Sequence, residues 1–149
     1  MRISLGCDEA AYELKMIIRK HLEAAGHEVI DNGAGAGEVV LYPDIAAKTC
    51  QKVANGECDR GILVCGTGIG MAMTANKISG IRAAVCHDPF SAERSILSNN
   101  ANVMCMGARI VAPQLAVYLL DLWMGLTFQD GPSTPKVERI MYYEKEFAK

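Results

Sequence analysis

The amino-acid sequence predicts an α/β protein of three layers, in which helices cover both faces of a five-stranded parallel sheet. Five apolar runs of 4 to 6 residues have the length and composition of buried strands. Longer segments with helical patterning separate them, and crossovers of that kind join strands in parallel. The balance of 50% apolar and 21% charged residues is that of an ordinary globular domain. We therefore expect one Rossmann-like αβα domain over residues 1–149.

The strands are predicted from apolar runs that stop at a polar residue or a glycine. The first run ends at Asp8, and the third ends at Cys65, directly before a glycine-rich turn. In chain order, we expect strands at residues 2–7, 28–31, 62–65, 81–86 and 102–106. Their pairing order is left open.

The helices are predicted from apolar spacing and from terminal signals. Between residues 10 and 25 apolar side chains recur near helical spacing, and Gly26 ends the pattern. Pro43 suits the first turn of the second helix, which follows a glycine-rich loop at 32–41. A break at Gly131 to Pro135 precedes the last helix. The helices are expected at residues 10–25, 42 to about 56, 67–78, 89–97, from 113 onward, and about 136–147.

Net charge, hydropathy and cysteine usage exclude several classes of protein. A formal net charge of −2 gives no reason to expect nucleic acid or an anionic membrane as partner. Polar residues interrupt the apolar stretch from Ile110 to Met124, so it is no membrane span, and the apolar start is too short for a signal peptide. The six cysteines and three histidines lack metal-ligand spacing. We expect a cytoplasmic protein with reduced cysteines and no metal.

The stretch from Cys65 to Gly70 is the most informative part of the sequence. Glycines at 66, 68 and 70 lie between a predicted strand and a predicted helix, where unpaired backbone N–H groups favour an anion. Cys65 stands at the rim of this turn, a position that favours the thiolate form. The spacing fits neither the dinucleotide fingerprint nor the Walker loop. A tight turn beside a structural cysteine is the plainer alternative, but the two features together favour an anion site with a base or nucleophile.

Other polar residues follow predicted strands, at the edge where parallel sheets bind ligands. Asp8, His87 and Arg109 each stand at such a strand end. Each also has a plainer interpretation: Asp8 suits a helix N-cap, His87 a loop hydrogen bond and Arg109 the solvent. The polar run from Ser98 to Asn102 is typical of a loop. We expect Asp8, the Cys65 turn, His87 and Arg109 to share one edge of the sheet.

The sequence resembles the ribose-5-phosphate isomerase B group, which also holds the galactose-6-phosphate isomerase subunits. The similarity is strongest from Gly61 to Gly70 and extends over nearly the whole chain. The other matching segments are Gly6-Cys7-Asp8, Glu13-Leu14-Lys15, Asp31-Asn32-Gly33, Tyr42-Pro43-Asp44, Ala75-Asn76-Lys77, Gly80-Ile81-Arg82-Ala83, Ser91-Ala92, Asn99-Asn100, Asn102-Val103 and Gly107-Ala108-Arg109. The resemblance implies an aldose–ketose isomerase of sugar phosphates that works through a cis-enediolate. It also implies that no metal or organic cofactor is used and that a dimer shares its active sites.

The resemblance further implies a role for each site residue. Cys65 is expected to be the base that moves a proton between carbons 1 and 2, with Thr67 assisting near the sugar hydroxyls. Backbone N–H groups are expected to hold the enediolate oxygens, as in an oxyanion hole. Ser98 is expected in the catalytic set, and the substrate contacts are expected from Asp8, Glu9, Tyr42, Gly66, Gly68, Ile69, Gly70, Asn99, Arg109 and Lys136. The last helix, about 136–147, is expected to pack across a homodimer or a dimer of dimers.

Several positions depart from the family pattern. Glu9 stands where members carry His, and Ser98 stands where they carry the His credited with opening the sugar ring. Asp130 to Ser133 replaces a Gly-Gly-Arg-His segment, and Lys136 stands at a second Arg position. The resemblance therefore leaves Arg109 and Lys136 to hold the phosphate and removes the ring-opening group.

These departures leave the substrate open. Ribose 5-phosphate ⇌ ribulose 5-phosphate is the type reaction. A tetrose phosphorylated at its terminal oxygen cannot close a furanose ring, so erythrose 4-phosphate ⇌ erythrulose 4-phosphate is an alternative. Galactose 6-phosphate is another. Ring opening by His87, or by Ser98 with water, is the rival explanation that keeps ribose 5-phosphate as substrate.

Two other classes of function are weighed against the isomerase. A sugar-phosphate binding subunit without activity is disfavoured by the intact Cys65. A cysteine hydrolase needs a His base oriented by a third group, and His87 is the candidate at a suitable strand end.

Overall fold

The computed structural model describes residues 1–148 and contains a five-stranded sheet. The strands are β1 (Arg2–Cys7), β2 (Glu28–Asp31), β3 (Arg60–Cys65), β4 (Ala83–Val85) and β5 (Val103–Gly107). They pair in the order β2-β1-β3-β5-β4, and every pairing is parallel. The predicted three-layer fold with five parallel strands is therefore confirmed.

Helices cover both faces of the sheet. They are α1 (Tyr12–Ala24), α2 (Tyr42–Ala54), α3 (Ile69–Ala75), α4 (Pro89–Leu97), α5 (Pro113–Met124) and α6 (Thr134–Glu146). Side chains of a strand alternate between the faces, so Ile62 and Val64 of β3 pack with α1, α4 and α5, whereas Leu63 and Cys65 pack with α2 and α3. Cys65 thus ends the central strand on the α2/α3 face. None of the helices within residues 1–148 is long and apolar enough to cross a bilayer.

Several element boundaries differ from the predicted ones for local reasons. A 3-10 turn over Glu9–Ala11 precedes α1, because the Asp8 carboxylate accepts the Ala10 N–H at 3.1 Å. The third helix begins at Ile69 rather than at residue 67, because Gly68 adopts the left-handed conformation at φ 77°. The fourth strand is shorter than residues 81–86, because the backbone of Ile81 closes a turn on Ile78 before pairing begins.

Parallel pairing gives the sheet two unlike edges. The carboxyl edge carries the residues that follow β1, β3, β4 and β5, and the amino edge carries those that precede them. Helix α4 runs from the end of β4 back to the start of β5, so its last residues lie at the amino edge. The side chain of Arg82, directly before β4, donates there to the Asn100 carbonyl. Helix α6 is held at the same edge, since Glu144 accepts the Gly80 N–H at 3.0 Å.

Candidate active site

The turn after β3 is built around the sulfur of Cys65. The backbone N–H of Gly68 donates to the Cys65 Sγ at 3.1 Å, and the side chain of Cys65 is 5% exposed. A backbone N–H donor is therefore aimed at the sulfur, and such a bond strengthens when its acceptor carries negative charge. Thr67 is exposed beside it, and its hydroxyl accepts the Ile69 N–H at 3.3 Å. The turn therefore presents a shielded sulfur next to an exposed hydroxyl.

The glycines of this turn allow close approach by neighbouring groups. A Cβ on Gly68 would lie 2.9 Å from the Met106 carbonyl carbon, so the turn rests directly on the backbone of β5. A Cβ on Gly70 would lie 2.6 Å from the ring of Tyr42. Gly70 belongs to the first turn of α3, where backbone N–H groups have no partner inside the helix. The ring of Tyr42 thus forms one wall beside donors that remain available to a ligand.

Arg109 and Asp8 flank the same turn. The Arg109 guanidinium lies over Gly66, where a Cβ would be 3.2 Å from its Nη1. Burial raises the pKa of the Asp8 carboxyl, the negative charge of Glu9 adds to the effect, and Arg109 acts against it. Asp8 is joined to the end of β3, since its backbone N–H donates to the Val64 carbonyl at 3.3 Å. The expected grouping of Asp8, the Cys65 turn and Arg109 is confirmed.

Glu9 has a partner of its own at this edge. Its Oε2 accepts the backbone N–H of Val40 at 3.3 Å. The residue is exposed and starts the 3-10 turn after Asp8. Its carboxylate therefore ties the glycine-rich segment before α2 to the start of α1. This contact with Val40 could not be read from the sequence, because the two residues are far apart in the chain.

Ser98 and Asn99 lie apart from this cluster within one chain. Ser98 caps the end of α4, and its hydroxyl accepts a hydrogen bond from the Arg94 Nε at 2.9 Å. Asn99 follows it at the amino edge, whereas Cys65 ends β3 at the carboxyl edge. The six residues of β3 separate the two edges by about 17 Å. Lys136 lies in the first turn of α6, the helix that Glu144 ties to the amino edge.

His87 is held by the backbone rather than by Cys65. Its Nε2 accepts the Gly107 N–H at 2.9 Å, while the sulfur of Cys65 takes its hydrogen bond from Gly68. Burial lowers the pKa of His87, and Asp88 acts weakly in the opposite direction. A nucleophile paired with a histidine base is therefore not what this arrangement presents. No group of three or more His, Cys, Asp or Glu residues within 1–148 has metal-binding geometry.

Comparison with known proteins identifies the family. The family model described as Ribose/Galactose Isomerase matches residues 3–140. The chain belongs to this family. It is 53% identical over 138 residues to the "Ribose-5-P isomerase B" of Listeria innocua, covering 93% of both chains. It is 46% identical to the "D-erythrulose-4-phosphate isomerase" of Pectobacterium atrosepticum, covering 98% of this chain and 97% of the relative.

A solved structure agrees with the computed fold of this ribose/galactose isomerase family member. The ribose-5-phosphate isomerase B of Clostridium thermocellum superposes with a TM-score of 0.97 at 42% identity, covering 99% of this chain and 100% of the other. The chain is accordingly a sugar-phosphate aldose–ketose isomerase, as the resemblance predicted. These relatives are named for sugar phosphates of different chain length, so their names alone do not fix the substrate of this chain.

Proposed function

We propose that this isomerase interconverts ribose 5-phosphate and ribulose 5-phosphate through a cis-enediolate, without a cofactor. The observation that supports this most directly is the Cys65 sulfur, which accepts the Gly68 N–H at the carboxyl edge beside exposed Thr67. A shielded sulfur with a positioned donor suits a general base better than an exposed one. The 53% identical Listeria relative carries the name of this activity.

The proposed chemistry moves one proton between two carbons. In the open-chain aldose, the Cys65 thiolate takes the proton from carbon 2, and the electrons of that bond shift onto the carbonyl oxygen at carbon 1. The enediolate forms beside the turn, where the backbone N–H groups from Gly66 to Gly70 that are not engaged by the Cys65 sulfur or the Thr67 hydroxyl stabilise its oxygens. The thiol then returns the proton to carbon 1, the hydroxyl proton on the oxygen of carbon 2 passes to the oxygen of carbon 1, and the ketose results. Thr67 and Asp8 bind the sugar hydroxyls, and Tyr42 and Ile69 border the substrate.

The test of this assignment uses a variant and an isotope. Cys65→Ala should abolish exchange of the carbon-bound hydrogen with D₂O, because in this proposal the Cys65 sulfur is the group that removes that proton. Binding of the sugar phosphate, measured by displacement of a fluorescent competitor, should persist in the variant. Exchange that survives in Cys65→Ala would remove Cys65 from its role.

We propose that the complete site is formed between two copies of the chain. Ser98 and Asn99 lie away from Cys65 within one chain, so a partner is needed to bring their counterparts to it. A groove of about 1090 Å³ lies between β4, the outermost strand of the sheet, and α6. Apolar residues of α6 and of its C-terminal cap, including Ile140 at 46% and Phe147 at 74% exposure, are open to solvent beside it. Such a surface suits a homodimer in which α6 packs across the interface.

A mixing experiment tests the shared site. Cys65→Ala and Asn99→Ala each damage a different half of every site, so each variant alone should have little activity. After random exchange half of the dimers are mixed, and each mixed dimer holds one intact site, so about a quarter of the wild-type activity should return. A mixture that stays as inactive as its components would place the whole site in one chain. Sedimentation distinguishes a dimer from a dimer of dimers.

A four-carbon substrate is the second candidate. At the position of the family's ring-opening His, Ser98 offers a hydroxyl that already accepts from Arg94. A tetrose 4-phosphate needs no ring opening, and the 46% identical Pectobacterium relative carries the name of erythrulose 4-phosphate. Turnover of erythrose 4-phosphate, ribose 5-phosphate and galactose 6-phosphate should be compared. Ser98→His should raise the rate on ribose 5-phosphate and leave the tetrose unchanged; efficient ribose 5-phosphate turnover with none of the tetrose removes this candidate.

We propose a cytoplasmic location for the enzyme from the state of its cysteines. All six cysteines are free and buried, which suits a reducing cytoplasm. We propose that residues 1–149 form a single isomerase domain whose partners are its sugar phosphate and a second copy of itself. Arg109, with Lys136 of the other copy, binds the phosphate in this proposal.

A further inference from the structure

His87 contacts the backbone of the turn that carries Arg109. The residue lies two positions after the end of β4 and directly before Asp88, which caps α4 by accepting the Ser91 N–H at 2.8 Å. Its Nε2 accepts the backbone N–H of Gly107 at 2.9 Å. A neutral imidazole offers one lone pair, so this bond fixes the remaining proton on Nδ1. His87 therefore connects the end of β4 to the last residue of β5.

Gly107 begins a turn in which three successive residues contact the Cys65 turn. A Cβ on Gly107 would lie 2.6 Å from the Cα of Thr67, so the two backbones are already in contact. The next N–H, from Ala108, donates to the Cys65 carbonyl at 2.8 Å. The N–H of Arg109 then donates to the Gly66 carbonyl at 3.0 Å. The position of the guanidinium over Gly66 depends on this sequence of contacts.

We propose that His87 is a positioning residue that, in its neutral form, holds Gly107 and thereby keeps the Arg109 guanidinium in place for the substrate phosphate. This rests on the proposed function, because it takes Arg109 as a phosphate ligand. A protonated imidazole has no lone pair and cannot accept the Gly107 N–H. Loss of the acceptor leaves a buried donor unpaired, and the turn that carries Arg109 is free to shift.

The surroundings of His87 favour the neutral form. Asp88, on the same segment, is the charged group within residues 1–148 that acts on His87 and favours its protonation, but burial outweighs it and lowers the pKa. From the turn packed against it, the group that faces Nε2 is the uncharged N–H of Gly107. Because the pKa is below the ordinary value of 6.5, the contact is complete above that pH and is lost as the pH falls through the lowered value.

Two variants of similar size distinguish the hydrogen-bond acceptor of His87 from the space that its ring fills. His87→Gln can place an amide oxygen near the position of Nε2, whereas His87→Leu keeps much of the volume and accepts nothing. Inorganic phosphate serves as the probe, through its inhibition constant, and KM and kcat are measured with the better of ribose 5-phosphate and erythrose 4-phosphate. For His87→Leu we expect KM and the phosphate inhibition constant to rise about tenfold, with kcat within about threefold. For His87→Gln both should stay within about threefold of wild type.

The pH profile supplies a second readout that a merely structural role would not move. In the wild type, KM should rise on the acid side as His87 protonates, and in His87→Gln this part of the rise should be absent because glutamine does not titrate. Protonation of the substrate phosphate, with a second pKa of about 6, raises KM in both proteins alike. Wild-type phosphate inhibition in folded His87→Leu, or equal damage in both variants, would overturn the inference. If His87→Leu does not fold, an unchanged acid rise of KM in His87→Gln overturns it alone. A wild type that is neither active on these substrates nor inhibited by phosphate would instead refute the proposed function.

Discussion

Gly68→Ala is the substitution for which the structure gives the sharpest expectation. Gly68 has φ 77°, a left-handed conformation that costs a residue with a Cβ about 1–2 kcal/mol. The new Cβ would also lie 2.9 Å from the Met106 carbonyl carbon and 3.2 Å from its Cα and N. These are backbone atoms that cannot rotate away, so overpacking adds about 1–3 kcal/mol. The free energy of unfolding should fall by about 2–5 kcal/mol in total.

The same substitution should also disturb the chemistry. The Gly68 N–H donates to the Cys65 Sγ at 3.1 Å, and a displaced turn moves that donor away from the sulfur. Loss of one positioned donor in a site of this kind lowers kcat by about 100-fold or more. The assays are urea unfolding followed by far-UV circular dichroism, and initial rates of aldose–ketose conversion on the folded variant.

Gly56→Ala is the matched control. Gly56 has φ 79°, and a Cβ there would meet nothing within 4 Å. It should therefore lose only the conformational part, about 1–2 kcal/mol, and keep its activity. If Gly68→Ala is as stable as Gly56→Ala and retains full kcat, the contact with β5 and the role of the Gly68 donor are both refuted.

Three further substitutions test the framework around the site. Lys15→Met should lower the free energy of unfolding by about 1–3 kcal/mol, because the buried Lys15 Nζ pairs with Asp31 at 2.9 Å, and after its loss that carboxylate keeps only the longer 3.6 Å contact with Arg19 as an ion pair; urea unfolding measures this, with exposed Lys48→Met as a control that should stay within about 0.5 kcal/mol. Thr49→Val should be neutral or stabilising by about 1 kcal/mol in the same assay, since the buried Thr49 Oγ1 has no partner within the described residues. Asp8→Asn should raise Tm at neutral pH: a raised pKa means that the Asp8 carboxylate opposes folding as the pH climbs above 3.8, and asparagine keeps the cap without titrating.

Each of these expectations has a result that would contradict it. A Lys15→Met protein as stable as Lys48→Met would mean that solvent reaches the ion pair. A Thr49→Val protein destabilised by more than about 1 kcal/mol would mean that the hydroxyl has a partner in solution. Equal pH dependence of Tm in Asp8→Asn and the wild type would assign that dependence to other groups.

Local patterning in the sequence was sufficient to predict the class of fold and one edge of the site. Apolar runs separated by helical segments require crossover connections, and crossover connections make the strands parallel. Parallel strands end at the same edge, so the proximity of Asp8, the Cys65 turn and Arg109 followed from the residue order alone. The direction of α4 follows from the same rule, but the position of Ser98 and Asn99 at the opposite edge was not predicted.

Only the tertiary structure decided how these pieces meet. The order β2-β1-β3-β5-β4 places β5 beside β3, and that neighbour relation lets the Gly107 turn rest on Thr67. The acceptor role of His87 and the Glu9 contact with Val40 depend on contacts of 2.9 and 3.3 Å between segments far apart in sequence. The aim of the Gly68 N–H at the sulfur depends on the conformation of the turn that rests on β5. Residue patterns encode which faces are buried and where strands end, because those depend on local hydrophobicity. They do not encode the packing of one backbone turn on another, which is settled only when the whole sheet has closed around its two cores.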